Sequence, residues 1–464
     1  MEYKISNRLK IGAITLIVLG LLGVSYGFID SHHYKTVDDV KELLASETHH
    51  GASHDDGHAE EAHAESHGES VAHAEEGHGD DAHGADATVG HKMSHEEHVL
   101  HQIHNRPYSA LYVAAFFFFM IALGVLAFYA VQYASQAGWS PVLFRVMEGI
   151  TSYVLPGGLI VLLVAFFADS HLFIWLKEGM TVEGHENYDA LVAGKSGWLN
   201  KTGFFIRGLI FLGGWSLYRH FSRKFSVAQD NADVNDNRNF KKNFRISAAF
   251  LVFFIYTESI MSWDWIMSVD PHWFSTLFGW YLLAGMLVCG VTTIAMIAIY
   301  LKSKGLLEHV NDSHIHDLAK FMFGFSIFWT YLWFSQFMLI WYSNIPEEVT
   351  YFITRIEDYN LPFFGMVAMN FIFPLLLLMN SDFKRVNWFV IMAGIVILCG
   401  HYIDIFNMIM PATVGDRWFI GIPEIGAILL FGGLFMLIVF TALGKYPLKP
   451  KGNPFIKESE HFHY

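Results

Sequence analysis

Apolar runs of about twenty residues, the length a helix needs to cross a bilayer, recur ten times along this chain of 464 residues. They fall near 10–29, 108–134, 142–168, 201–221, 244–264, 275–301, 319–343, 361–380, 387–410 and 421–443. Backbone N–H and C=O groups in lipid have no water to bond, so a spanning segment must satisfy them within a helix or a closed barrel. The apolar/polar alternation of barrel strands is absent. An all-α, polytopic integral membrane protein of about ten helices is therefore expected. Only 16% of residues are charged, against about a quarter in a soluble chain.

Lysine and arginine predict the orientation, because links left on the cytoplasmic side retain an excess of them. Lys4, Arg8 and Lys10 precede the first run, and seven basic residues from Arg219 to Arg245 follow the fourth. Lys302, Lys304, Lys320, Lys384, Arg385 and the lysines from Lys445 to Lys457 lie on the same side, whereas the alternate links are acidic or nearly uncharged. Both termini are predicted to be cytoplasmic. The first run is read as a retained anchor, since it is long for a signal peptide and no small-x-small cleavage site follows it. Cys289 and Cys399 fall inside apolar runs and read as small buried hydrophobes.

Residues 30–107 form the only long link expected from the pattern, and they face outward. Sixteen of the 26 histidines lie there, and eighteen acids against three lysines up to His104 carry essentially all of the net charge of −14. From about 49 to 91 the link is low-complexity Ala, Glu, Asp, Gly and His, with too little apolar surface to fold alone. It reads as a solvated acidic spacer rather than a weak binder of divalent metals, because its histidines follow no fixed ligand geometry, and no metal site is assigned. Its negative charge should fall as the imidazoles protonate below about pH 6.5.

Ionisable residues inside spans are costly and functional by default. Glu258 lies roughly 9 Å inside the outer end of the fifth run at ~1.5 Å per residue. Asp404 has a similar depth in the ninth, with His401 one turn below it and Asn407 and Met408 continuing its face. That pair suits either proton transfer or an interhelical bond. Arg207 enters the outer half of the fourth run, where it also suits a structural pair with Glu258 or Asp404. Asp169 and His171 sit at the outer end of the third, where they also suit a plain interfacial role. Glu424, after Pro423, opens the tenth, where a carboxylate also suits the helix dipole. The inner half offers Glu148 and Arg145 and little else charged. A polar site open to the outside follows, with Glu148, Asp169, His171, Arg207, Asp270, His272 and Glu424 as candidates along a proton path.

Residues 262–281, SWDWIMSVDPHWFSTLFGWY, join two apolar runs. Trp263, Trp265, Trp273 and Trp280 are rings that favour the membrane–water boundary. Asp264, Asp270 and His272 put ionisable groups there, and Pro271 stops one helix and suits the start of the next. A b-type haem needs histidine pairs deep in helices. Only His401 is deep; His220, His171 and His272 are at the faces. Without cysteine ligands for a cluster either, neither haem nor iron–sulfur is expected in this chain, and no covalently bound cofactor. Electrons would have to come from a lipid quinol or pass through another subunit.

That elbow, the ten-run layout and the long N-terminal outer loop resemble the second polytopic subunit of alternative complex III, the bacterial quinol:cytochrome c oxidoreductase. The likeness spans about 108–443 and extends to the membrane subunits of polysulfide reductase. It implies two four-helix bundles, at 108–264 and 265–410, flanked by the anchor 1–29 and a tenth helix at 411–443. The loop 30–107 and a cytoplasmic tail at 444–464 complete the division. It further implies a bacterial inner membrane, menaquinol as a possible ligand and surrounding lipids. Partners would be a related polytopic subunit, multihaem and monohaem cytochromes c and an iron–sulfur subunit; nothing points to nucleic acid. In that family menaquinol is oxidised near the outer face, mainly in the sister subunit, and this type is often assigned a proton-path or scaffold role. Residue by residue the likeness reaches Asp264, Asp270 and His272.

The leading expectation is a non-haem membrane subunit of a respiratory electron-transport complex, not catalytic alone. Glu258, Asp264, His401 and Asp404 are the candidate proton acceptors or relays of a quinol site or proton-translocation path, and the four elbow tryptophans the wall that holds quinone. The rivals are a purely structural scaffold with a degenerate site, and a proton-coupled transporter with broken midplane helices. Pro156-Gly157-Gly158 and Pro374 are the only hints of the latter.

Overall fold

The computed structural model describes residues 3–51, 94–233 and 235–463. The His-rich stretch 52–93, and with it the reading of that stretch as a spacer, lies outside the described residues. Among those described the chain is all-helical, without strands, and it is a polytopic α-helical membrane protein.

In chain order the helices are α1 (Asn7–Ser31), α2 (Val37–Gly51), α3 (His95–Ala134), α4 (Phe144–Ile150), α5 (Val154–Ala168), α6 (Ala190–Lys195), α7 (Lys201–Asp230) and α8 (Arg238–Trp265). There follow α9 (Phe278–Ser303), α10 (Asp312–Ser343), α11 (Pro346–Glu357), α12 (Asn360–Val367), α13 (Phe373–Leu378), α14 (Asn387–Thr413), α15 (Ile422–Leu443) and α16 (Ile456–Glu460). Nine segments among the described residues are long and apolar enough to span: α1, α3, the α4–α5 run, α8, α9, α10, the α12–α13 run, α14 and α15. The segment expected as the fourth span is a helix, α7, thirty residues long, but Arg207, Arg219, Arg223 and Lys224 keep it out of these nine.

Helices α3, α5, α7 and α8 close one four-membered ring, and α9, α10, α12–α13 and α14 close a second. Helix α3 runs along α9 and α14 and so joins the rings. It is apolar on every side through Phe116–Ala130, as a helix enclosed by neighbours must be. Gly290 lets α9 approach it, since a Cβ there would stand 2.9 Å from the Val125 amide nitrogen.

The flanking helices α1 and α15 pair with each other, antiparallel, and lie against α3. Their contact is backbone to backbone: a Cβ on Gly426 would stand 2.9 Å from the Gly23 Cα. Small residues allow such contact where lipid removes the hydrophobic drive. Gly426→Leu should separate α1 from α15. A short bifunctional maleimide should then join cysteines at Tyr3 and Phe440, whose rings lie 6.3 Å apart, in the parent and not in the variant. Equal cross-linking in both would refute the close packing. The pairing puts both chain ends on one face, here the terminal face, with the elbow opposite.

Three links differ from expectation. Helix α3 starts at His95, well before residue 108, because Ser94 and Glu97 form a reciprocal capping box. Residues 30–107 are also not the only long link: 169–200 is another, folded from short turns and α6. A third link carries α11, begun at Pro346 after Asn344 ends α10 in the left-handed region at φ 49°. Between α12 and α13, Ala368–Ile372 forms a π turn immediately before Pro374. The wider turn accommodates a ring that clashes with the preceding carbonyls and donates no N–H.

The tail 444–463 is folded against the terminal face. Ser459 is fully buried, its Oγ donating to the Trp139 carbonyl at 2.5 Å and its carbonyl meeting His314 Nε2 at 2.9 Å. The Gly452 amide donates to Asp230 at 3.0 Å. The tail thereby ties links of both rings together.

Candidate functional site

The elbow is held by the link 169–200, which folds over it. Trp175 donates to the Ser268 carbonyl at 3.0 Å, and Lys195 to the Pro271 carbonyl at 2.5 Å. His272 Nε2 lies 2.6 Å from Asp189 Oδ2. Between link and elbow is an open cavity of about 470 Å³, lined among others by Lys195, Trp198, Trp263, Asp264, Asp270 and Trp273. That size suits a small-molecule headgroup.

Asp264 is fully buried beside it. Its Oδ2 accepts from Arg207 Nε at 2.6 Å and its Oδ1 from Trp198 Nε1 at 2.8 Å, and the guanidinium lies over the Trp198 ring. Arg207 therefore pairs with Asp264 rather than with Glu258 or Asp404: α14 belongs to the other ring, and Glu258, six residues before Asp264 on α8, projects from a different face. Asp270 is half-buried on the cavity wall, and its carboxylate enters no hydrogen bond or ion pair among the described residues. Of the four elbow tryptophans, Trp263 and Trp273 line the cavity. Trp265 is instead in the core against Phe119 and Trp215, and Trp280 is exposed on α9.

Asp189, outside the spans, is the N-cap of α6. Burial opposes its ionisation, but His272 and the amides of Val192 and Leu191 outweigh burial and hold its pKa below the ordinary 3.8. A depressed folded value means that the stabilisation is complete above the ordinary value and is lost as pH falls through the lower one. Asp189→Asn should therefore remove the part of the acid-side drop in melting temperature that the link contributes. Parallel melting curves of parent and variant from pH 7 to pH 3 would refute it.

A second cluster lies in the other ring. Asp404, buried, accepts from Trp329 Nε1 at 2.9 Å and from the Tyr281 hydroxyl, and His401 Nδ1 stands 3.5 Å away. Beside it is a cavity of about 10 Å³, near the room one water needs. Gln336 Oε1 and Asn407 Oδ1, on residues that line it, have no protein partner. Arg355 reaches in from α11, its guanidinium 3.3 Å from the Tyr351 ring centroid and its Nε donating to the Asn407 carbonyl at 3.0 Å. Tyr351 also stacks on Trp273 at 3.8 Å. One aromatic pair thus separates the elbow cavity from the Asp404 cavity.

The remaining candidates are dispersed. Glu258 is buried on α8, its Oε1 without a partner and its Oε2 3.5 Å from Ser259 Oγ, and no bond links it to Asp404. Packing alone does not explain an unpaired carboxyl at that depth. Glu424 accepts from Arg106 at 2.8 Å and caps Gly421, so it is occupied in holding the start of α15. Asp169 pairs with Lys201 at 2.8 Å in an exposed position. His171 bonds Asn105 at 2.9 Å and stacks on Tyr108. Glu148, near the terminal face, takes Arg145 at 2.7 Å, Arg223 at 2.8 Å and the Tyr129 hydroxyl at 2.9 Å. Arg145 also pairs with Asp230.

Sequence reasoning missed Trp198, Lys195, Tyr281, Trp329 and Arg355. A lone arginine on the amphipathic α11 was the one available signal, since its helix alternates acids outward with Tyr351 and Phe352 inward. No family model matches this chain, and no curated protein matches it.

Proposed function

We propose that this chain is a non-haem membrane subunit of a respiratory quinol-oxidising assembly of the alternative complex III type, with the elbow cavity taking the quinol headgroup. The observation that carries this reading is a cavity at one end of the membrane helices that combines aromatic walls with two carboxylates, Asp264 and Asp270. A quinol losing two electrons and two protons needs acceptors for both. Asp264, fixed by Arg207 and Trp198, is placed to accept a hydrogen bond from one hydroxyl and orient the ring. Asp270, without a counter-ion among the described residues, is the group to take the two protons in turn and release each on the elbow face past His272. The electrons leave through the cytochrome c and iron–sulfur partners that such an assembly carries. The excess of lysine and arginine on the terminal face supports a cytoplasmic location for that face, and an assembly of this type sits in a bacterial inner membrane.

Asp270→Asn in the assembled complex should lower quinol oxidation about a hundredfold, within the range of general acid–base effects. Trp263→Ala should mainly raise KM. Full activity in both variants, with an unchanged affinity for a quinone analogue, would leave the scaffold reading, which the full engagement of Asp264 by Arg207 and Trp198 favours.

A further inference from the structure

Neither cavity uses Arg219. It lies on α7 twelve residues beyond Arg207, roughly 18 Å along the axis at ~1.5 Å per residue, toward the terminal face. Its Nε is enclosed without a hydrogen-bond partner, and its guanidinium enters no ion pair with any described residue. One turn on, Arg223 is committed to Glu148 at 2.8 Å and covers the Tyr446 ring at 4.7 Å. The local cations Arg145, Arg219 and Arg223 face only two acids, Glu148 and Asp230, so Arg219 is the cation left over.

The same face of α7 carries Gly208 and Leu212, which meet Leu162 and Gly158 of α5. Arg219 thus sits at the terminal-face end of the α5–α7 groove, where α5 exposes Leu155, Leu159 and Leu163. A half-buried guanidinium in such a place is costly unless an anion meets it. Its fork matches phosphate oxygens, and the anion native to a membrane boundary is the phosphodiester of a lipid.

We propose that Arg219 holds the phosphate of one membrane phospholipid whose acyl chain lies along Leu155, Leu159 and Leu163. The full chain, delipidated in detergent and given phosphatidylglycerol, should show one retained adduct by native mass spectrometry. Retention should fall at least about tenfold in Arg219→Gln, equivalent to about 1.4 kcal/mol. Arg219→Lys should be intermediate, because a point charge replaces the fork. Lys224→Gln, which removes an exposed charge nearby, should retain the lipid as the parent does. Leu159→Trp, at an exposed position, should obstruct the acyl chain and also lose the adduct. Parent-like retention in Arg219→Gln or in Leu159→Trp overturns the proposal. Displacement of the lipid by excess inorganic phosphate also overturns it, by assigning Arg219 to a free anion.

Discussion

Alanine at Glu148 should destabilise the protein by about 3–5 kcal/mol, the cost of breaking a buried ion pair from one side. Glu148 and Arg145 are each 2% exposed, and Arg223 is half-buried at 16%. Removing the carboxylate leaves two guanidiniums with Asp230 as their remaining acid and strips the Tyr129 hydroxyl of its acceptor. The double variant Glu148→Leu with Arg145→Met should recover much of the loss, since joint apolar replacement of a buried pair is often tolerated. Reversible SDS titration of the purified protein reads both. A single variant that unfolds with the parent, or a double variant whose loss is the sum of the two singles, would show that these charges do not act together.

Asparagine at Asp404 should separate stability from function. The amide keeps the shape but turns one oxygen acceptor into a donor, which must then face either the Trp329 N–H or the Tyr281 hydroxyl. Stability should fall by about 1–3 kcal/mol, the cost of one unsatisfied buried group. If Asp404 passes protons in the proposed complex, their release should fall about a hundredfold. Tyr281→Phe, which removes one donor and leaves the carboxylate, should cost much less. A melting temperature that drops while proton release is unchanged would reduce the cluster to an interhelical bond.

The spans were legible because length and apolarity alone decide whether a helix can cross a bilayer, and neither depends on partners. The elbow was legible for a related reason, since tryptophan, proline and acids each have a preferred place at a boundary. Pairings were not. Arg207 and Asp264 are 57 residues apart, and nothing local to either distinguishes that match from one with Glu258. Arg355 lies outside every apolar run and enters the second ring sideways from α11, so its depth has no trace in the sequence. Ser459 is a further case: a small polar residue in a polar tail gives no sign that it will be buried.

The pairing of α1 with α15 bears on how the protein is made. Gly23 and Gly426 are about 400 residues apart, which at roughly 5–20 residues per second is some 20–80 s of translation. For that interval the glycine ridge of α1 has no native neighbour on its α15 side and is open to wrong partners in the membrane. Ribosome stalling before Ile422 would leave that ridge bare, a mark by which membrane quality control could tell an unfinished chain from a finished one.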